Sequence, residues 1–421
     1  MSAHGILLLV THSHAHGNID PGPPRRAFAA FITLIVVTIA VATAIAMVAL
    51  WPDSAKGPRN QNPYGAEGVS IVSATVKGVA PFDCGSRGQG PDGLPMVTGD
   101  CAKVTASTKA GAASFTLDAA RFKAGIEAGD QIKIIRLEPP GQSVSYEFYD
   151  FERGLPLTLL ALIFAVLVVA VARWRGLFAI LGIGVTLFAL TKFMLPAFLA
   201  GANPLPVAVV GSTAIMLVVL YLAHGVSIRT TSALFGTLCG LALTAALGVA
   251  ATGWTSLTGV GSEDDQTLIA VAPHINIAGV VAATMVVAGL GVLNDVTVTQ
   301  ASAVWELRAL QPTASARQTF TSAMRIGRDH IASSVYTLVF AYAGSAMTIL
   351  LLIAAYQRSL VEMATTEQIG EEIVRTLVGA IGLVLAVPIT TAFAVIMAPR
   401  GTATGTEERE VEPVGPTTDS H

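Results

Sequence analysis

An α-helical polytopic membrane protein of about eight transmembrane helices, with a small all-β domain inserted after the first, is the fold class this 421-residue chain predicts. Three observations predict it. Hydrophobic residues make up 52% and charged residues only 13%, with mean hydropathy +0.64, whereas a soluble globule carries nearer a quarter of charged residues. Uncharged runs long enough to cross a hydrocarbon core of about 30 Å recur along the chain. One stretch, between the first and second runs, is instead polar, rich in Gly and Pro, and alternates as strands do. The net charge of −3 leaves no electrostatic footprint for nucleic acid.

Residues 1–27 read as a cytoplasmic tail. His12, His14 and His16 alternate within it, and neutral imidazoles at that spacing can hold a transition metal loosely, with no carboxylate or cysteine to complete the set. The plainer reading is an unstructured leader, and no cofactor is expected. Residues 28–50 are uncharged and follow Arg25 and Arg26. That run exceeds the core of a secretory signal, so it reads as an uncleaved first span with the N-terminus inside.

Residues 51–154 read as the β domain. Five alternating segments, 68–79, 101–108, 113–118, 130–137 and 143–151, are the expected strands. One small antiparallel barrel would use all five, which suggests an OB-like arrangement. The strands lack the interleaved aromatic and basic residues that single-stranded nucleic acid would need. Cys84 and Cys101 flank a Gly/Pro-rich insert. A disulfide closing it is expected if the domain is extracytoplasmic, since a zinc site would lack its second pair of ligands.

Residues 155–398 hold seven further spans, at 155–172, 176–195, 205–223, 233–251, 275–293, 331–355 and 376–397. Gly236 and Gly240 have the spacing that lets membrane helices approach closely, and Pro388 invites a kink in the last span. With the N-terminus inside, eleven arginines fall on cytoplasmic segments and two, Arg358 and Arg375, on short outer loops. The bias supports eight spans in the cell membrane, both termini cytoplasmic and residues 51–154 outside. Residues 399–421 are an acidic tail without signals of structure.

Charge reaches membrane depth in the polar cytoplasmic segment 294–330. On a helix, Asp295, Thr299, Ser302 and Glu306 fall at i, i+4, i+7 and i+11, one narrow stripe. Arg325, Arg328 and Asp329 follow where the chain returns to the same membrane face, so Arg325 or Arg328 is the expected partner of Asp295. The stripe reads either as part of a polar path or as a structural contact.

The blocks GLGVLNDVTVTQASAVWEL and MRIGRDHIASSVYTLVFAYAG, joined by a basic loop, resemble the YibE/F family of bacterial multispanning membrane proteins, over about Leu155 to Met397. Asp295, Ser302, Glu306, Gly327, Arg328, Asp329, Thr337, Leu338, Ala341, Tyr342 and Gly344 match the family pattern, whereas Thr299 and Gln300 stand where its low-GC members carry Ser-Ile. The resemblance implies a permease-like membrane protein and no defined chemistry. No HExxH, GxSxG or phosphate-loop motif occurs, so no enzyme is expected. Two functions remain. One is transport of a small solute or ion across the lipid bilayer; the other is membrane assembly or signalling, with a protein partner on the β domain.

Overall fold

The computed structural model describes residues 26–53, 63–85, 97–355 and 359–399; His12, His14, His16 and nearly all of the acidic tail lie outside these. The chain divides into two compact units, one of Ala55–Leu181 and one of Met1–Ser54 with Gly182–His421.

In the first unit, β1 (Val69–Phe82), β2 (Cys101–Thr108), β3 (Gly111–Leu117), β4 (Gln131–Leu137) and β5 (Ser145–Phe151) form one antiparallel sheet in the order β3-β2-β1-β4-β5. β1 is long enough to serve two neighbours: its first half pairs with β4 and its second with β2. A register shift between Val76 and Gly78 interrupts the pairing with β2. Alternation places Val104, Ala106, Phe115, Leu117, Ile132 and Ile134 together in a buried core. The sheet curls until Phe115 on one edge strand and Phe148 on the other stack with ring centroids 6.3 Å apart. Between β3 and β4 lies the short α2 (Ala119–Phe122), capped by the Asp118 carboxylate, which accepts from the Arg121 N–H. The expected disulfide is present: Cys101 opens β2 opposite Phe82, just before Cys84, and the two cysteine Cα atoms are 5.6 Å apart. At the end of β5, Arg153 donates to Asp150 at 2.6 Å and holds that carboxyl below its ordinary range.

From this sheet the chain enters α3 (Gly154–Ala189), which contains one non-helical residue, Arg173, at φ 56° and ψ −132°. A Cβ on Gly176 would collide with the Val168 carbonyl. Eight residues along a straight helix are about 12 Å apart, so the chain folds back on itself at Arg173. Only glycine at 176 permits the approach.

The second unit holds α1 (Arg26–Ala49), a π-helical turn at Leu190–Met194 leading to α4 (Leu195–Leu199), and then α5 (Pro204–His224), α6 (Ile228–Trp254), α7 (Glu263–Val271), α8 (Ile277–Leu310), α9 (Ala316–Ser345), α10 (Met347–Ala355), α11 (Leu360–Ala364) and α12 (Glu367–Met397). Local sequence sets the starts. Asn203, Ser227 and Asn276 cap α5, α6 and α8, and Ser262 with Asp265 and Ser315 with Gln318 close capping boxes on α7 and α9.

Among the described residues six helices are long and apolar enough to cross a membrane: α1, Gly154–Leu199, α5, α6, α8 and α12. A seventh is formed by α9 with α10, if that pair, bent by 62°, is one span. The expected number was eight. The difference arises at Arg173, where the spans expected at 155–172 and 176–195 follow one another with a single non-helical residue between them. The span expected at 331–355 is divided at Ala346, where α9 ends.

The bundle core is built on close approach. Gly236 of α6 faces the Thr390 side chain, Gly240 faces Leu293 and Ala386, and Gly382 of α12 faces the Thr244 hydroxyl, so α6, α8 and α12 meet where side chains are smallest. α5 packs against α6 and α8, and α9 against α8 and α12.

Candidate functional site

α8 runs for 34 residues, about 51 Å at helical rise, and so extends well beyond the run expected to end at residue 293. It continues because its polar half still has a face to bury. Thr297, Gln300, Val304 and Arg308 are buried at i, i+3, i+7 and i+11, half a turn away from the stripe of Asp295, Thr299, Ser302 and Glu306. α9 packs on that buried side, where the Gln300 amide donates to the Ala323 carbonyl at 2.9 Å. The Arg308 guanidinium donates to the Ala314 carbonyl and closes the α8–α9 turn.

The expected stripe therefore lies on the outer face of α8. Asp295 and Glu306 are exposed and Thr299 and Ser302 half-buried. The Thr299 hydroxyl donates to the Asp295 carbonyl at 2.8 Å, and Ser302 borders a small cleft with His224 and Arg229 at the facing ends of α5 and α6. Arg325, Arg328 and Asp329 are exposed on α9. Among the described residues neither arginine is ion-paired with Asp295. Geometry explains the absence: Arg325 and Arg328 lie about 200° and 140° round the helix from Ala323, the residue that faces α8.

What the bundle does bring together is a buried seam of hydroxyls and amides. Thr237 of α6 and Thr297 of α8 share a hydrogen bond of 2.7 Å between their hydroxyls. Thr244 donates to the Gly240 carbonyl at 2.9 Å, and Thr390 and Thr391 donate to the carbonyls of Ala386 and Val387 at 2.7 Å, on either side of Pro388. Gln300 lies one turn beyond Thr297, and the buried Asn294 Oδ1 accepts no hydrogen bond within the described residues. Chemically, the seam can relay hydrogen bonds or ligate a dehydrated ion through neutral oxygens. Sequence reasoning missed it, although one signal was there: the second polar stripe on α8, opposite the first.

A family model described as YibE/F-like protein matches residues 160–400, more than half of the chain. The chain belongs to the YibE/F-like family. No curated protein and no solved structure matches it. In this YibE/F-like chain the residues of the two sequence blocks divide by role. Gly327 lies where α9 crosses α8, so close that a Cβ would stand 2.9 Å from Gln300 Oε1 and 2.8 Å from Val387 Cγ1. Leu338 packs with Val296, Leu383 and Val387. Asp295, Glu306, Arg328 and Asp329 stay at the surface of the α8–α9 hairpin. Among the described residues no three His, Cys, Asp or Glu gather as a metal site would require.

Proposed function

We propose that this YibE/F-like protein is a non-enzymatic permease, or the membrane component of one, that moves a small solute or ion through the α6–α8–α12 interface. The observation that carries the reading is the buried polar seam. Hydroxyl and amide groups turned into a membrane bundle need hydrogen-bond partners there, and Thr237, Thr297, Gln300 and Thr390 line an interface that includes the proline-containing α12, so the same groups can take a passing solute or ion as partner. In this reading Asp295, Thr299, Ser302, Glu306, Arg325, Arg328 and Asp329, on the outer faces of α8 and α9, act from outside the seam, where their charge concentrates the solute near the path.

The same proposal takes the chain across the cell membrane eight times, with both termini cytoplasmic. The fold-back at Arg173 turns Gly154–Leu199 into two crossings, and the bent α9–α10 pair supplies one more. Residues 51–154 lie outside, in an OB-like domain. Supporting that fold are five strands in a curled antiparallel sheet whose edge strands meet through Phe115 and Phe148, with a short helix between β3 and β4. The bilayer is the only partner the reading requires beside the solute.

A second reading, a non-transporting assembly or signalling protein, draws on one observation: the charged residues of α8 and α9 are exposed rather than turned into the bundle. Solute flux into proteoliposomes containing the full chain, screened across ions and small metabolites, separates the two. Under the permease reading Thr297→Val and Asp295→Asn accumulate normally and lose flux. A native protein that moves none of the screened solutes supports the second.

A further inference from the structure

The curled sheet of the first unit leaves a cavity where β2 stops. Thr108, the last residue of β2, lies opposite Ala74, and the chain then turns through Lys109 and Ala110 into β3. Among the described residues, positions 69–73 of β1 pair with β4 alone. The space left beside them is a cavity of about 250 Å³, lined by Val72, Ser73, Thr108, Lys109, Ala110 and Arg136.

By the alternation of β4, Arg136 takes a core position. Ile132 and Ile134 are buried on one face, and Arg136 is the next residue on that face. An apolar residue would extend the core here; instead a guanidinium borders the cavity, its side chain 30% exposed and its Nη1 2.8 Å from Oε2 of Glu138. The Ser73 hydroxyl donates to Glu152 at 3.3 Å, and Lys133 lies 3.4 Å from the same carboxylate. These two ion pairs cancel. Lys109, exposed on the turn at the rim, has no ion pair among the described residues. One positive charge is left over, above walls made largely of Val72, Ala110 and the aliphatic stems of Lys109 and Arg136.

We propose that this cavity binds the carboxylate of a small organic monoanion between the Lys109 ammonium and the Arg136 guanidinium, with the apolar part of the ligand against Val72 and Ala110. Drug-sized ligands occupy pockets of about 300–1,000 Å³, so a smaller cavity suits an acid of a few carbons or the end of a chain. The carboxylate has two sources. One is a free acid; the other is the C-terminus of an extended peptide, to which the open edge at 69–73 offers backbone hydrogen bonds. The assignment does not depend on transport.

Ligand-observed NMR on the full chain in neutral detergent tests it. The probes are butanoate and N-acetylated trialanine with a free C-terminus, and their controls are butanamide and the C-terminal amide of the same peptide. The acids should bind saturably and the amides should not. Lys109→Met, at an exposed turn, should weaken the acids about tenfold, the equivalent of one charge-assisted hydrogen bond. Glu138→Gln should instead tighten them, because it frees a guanidinium donor and removes a competing negative charge. An Arg136–Glu138 pair that is only structural gives no such gain. Tighter binding of the peptide than of butanoate assigns the site to a chain terminus, and the reverse order to a free acid. Equal signals from acids and amides, affinity indifferent to Lys109→Met, or affinity that fails to rise in Glu138→Gln would overturn the proposal. The first comparison needs no variant and stands even if Glu138→Gln fails to accumulate.

Discussion

At the first residue of α12, one oxygen of Glu367 collects the N–H groups of Thr258 and Gly259 at 2.6 Å and of Val260 at 3.3 Å, and the Thr258 hydroxyl at 2.6 Å. Successive backbone N–H groups turned toward one point make a concavity for an anion, and here the anion is supplied by the chain itself. Gly259 makes the loop possible, because its φ of +78° suits glycine and a Cβ would collide with Ile277. Glu367→Ala should lower stability by about 1–3 kcal/mol, read as an earlier thermal unfolding midpoint in detergent, and Glu367→Gln should cost less because its amide oxygen can still accept. Gly236 makes a sharper case. Any side chain there meets Thr390, so Gly236→Ala should destabilise by about 1–3 kcal/mol. Adding Thr390→Ala should recover most of the loss, a coupling expected only between residues in contact.

Among the elements, legibility follows what period and spacing can encode. The five strands were readable because alternation within β2, β3 and β4 names the buried face directly, whereas α6 and α9, capped by Ser227 and Ser315, start well before the uncharged runs expected from 233 and 331. The spacing of Gly236 and Gly240 announced a close approach but not its partner, since Thr390 lies more than 150 residues away in the sequence. α8 shows the limit most clearly. Two stripes with polar residues, each at helical spacing, lie on opposite faces, and only the packing of α9 decides that Thr297 and Gln300 go in while Asp295 and Glu306 stay out. The bend at Ala346 had a faint signal in Gly344-Ser345, a pair at which helices often kink. Cys84 and Cys101 were legible as a pair, and their cross-link spans 17 residues. Reduction should therefore remove about 3 kcal/mol from the β unit. Its melting, followed with and without reductant, should shift downward, and both thiols should be protected from alkylation in the native protein.

At the scale of the whole molecule, one turn decides the threading of everything after it. Were Gly154–Leu199 a single crossing, the segments on either side of it would face opposite compartments, and every later loop would change sides. The α8–α9 turn with Arg308 and Arg317 would then lie outside, as would Arg229, against the preference of arginine-rich short loops for the cytoplasm. A 46-residue helix would also measure about 69 Å, more than twice the hydrocarbon thickness. The eight-span threading proposed above removes both difficulties, because a fold-back at Arg173, where Gly176 packs against Val168, would return the chain to the side from which it entered. A reporter fused after Gln142 should therefore read as extracytoplasmic and one after Thr313 as cytoplasmic. A third, placed after Ala202, should agree with the first. If the fusions after Gln142 and Thr313 report the same compartment, or those after Gln142 and Ala202 opposite ones, then Gly154–Leu199 crosses once and the eight-span threading is wrong.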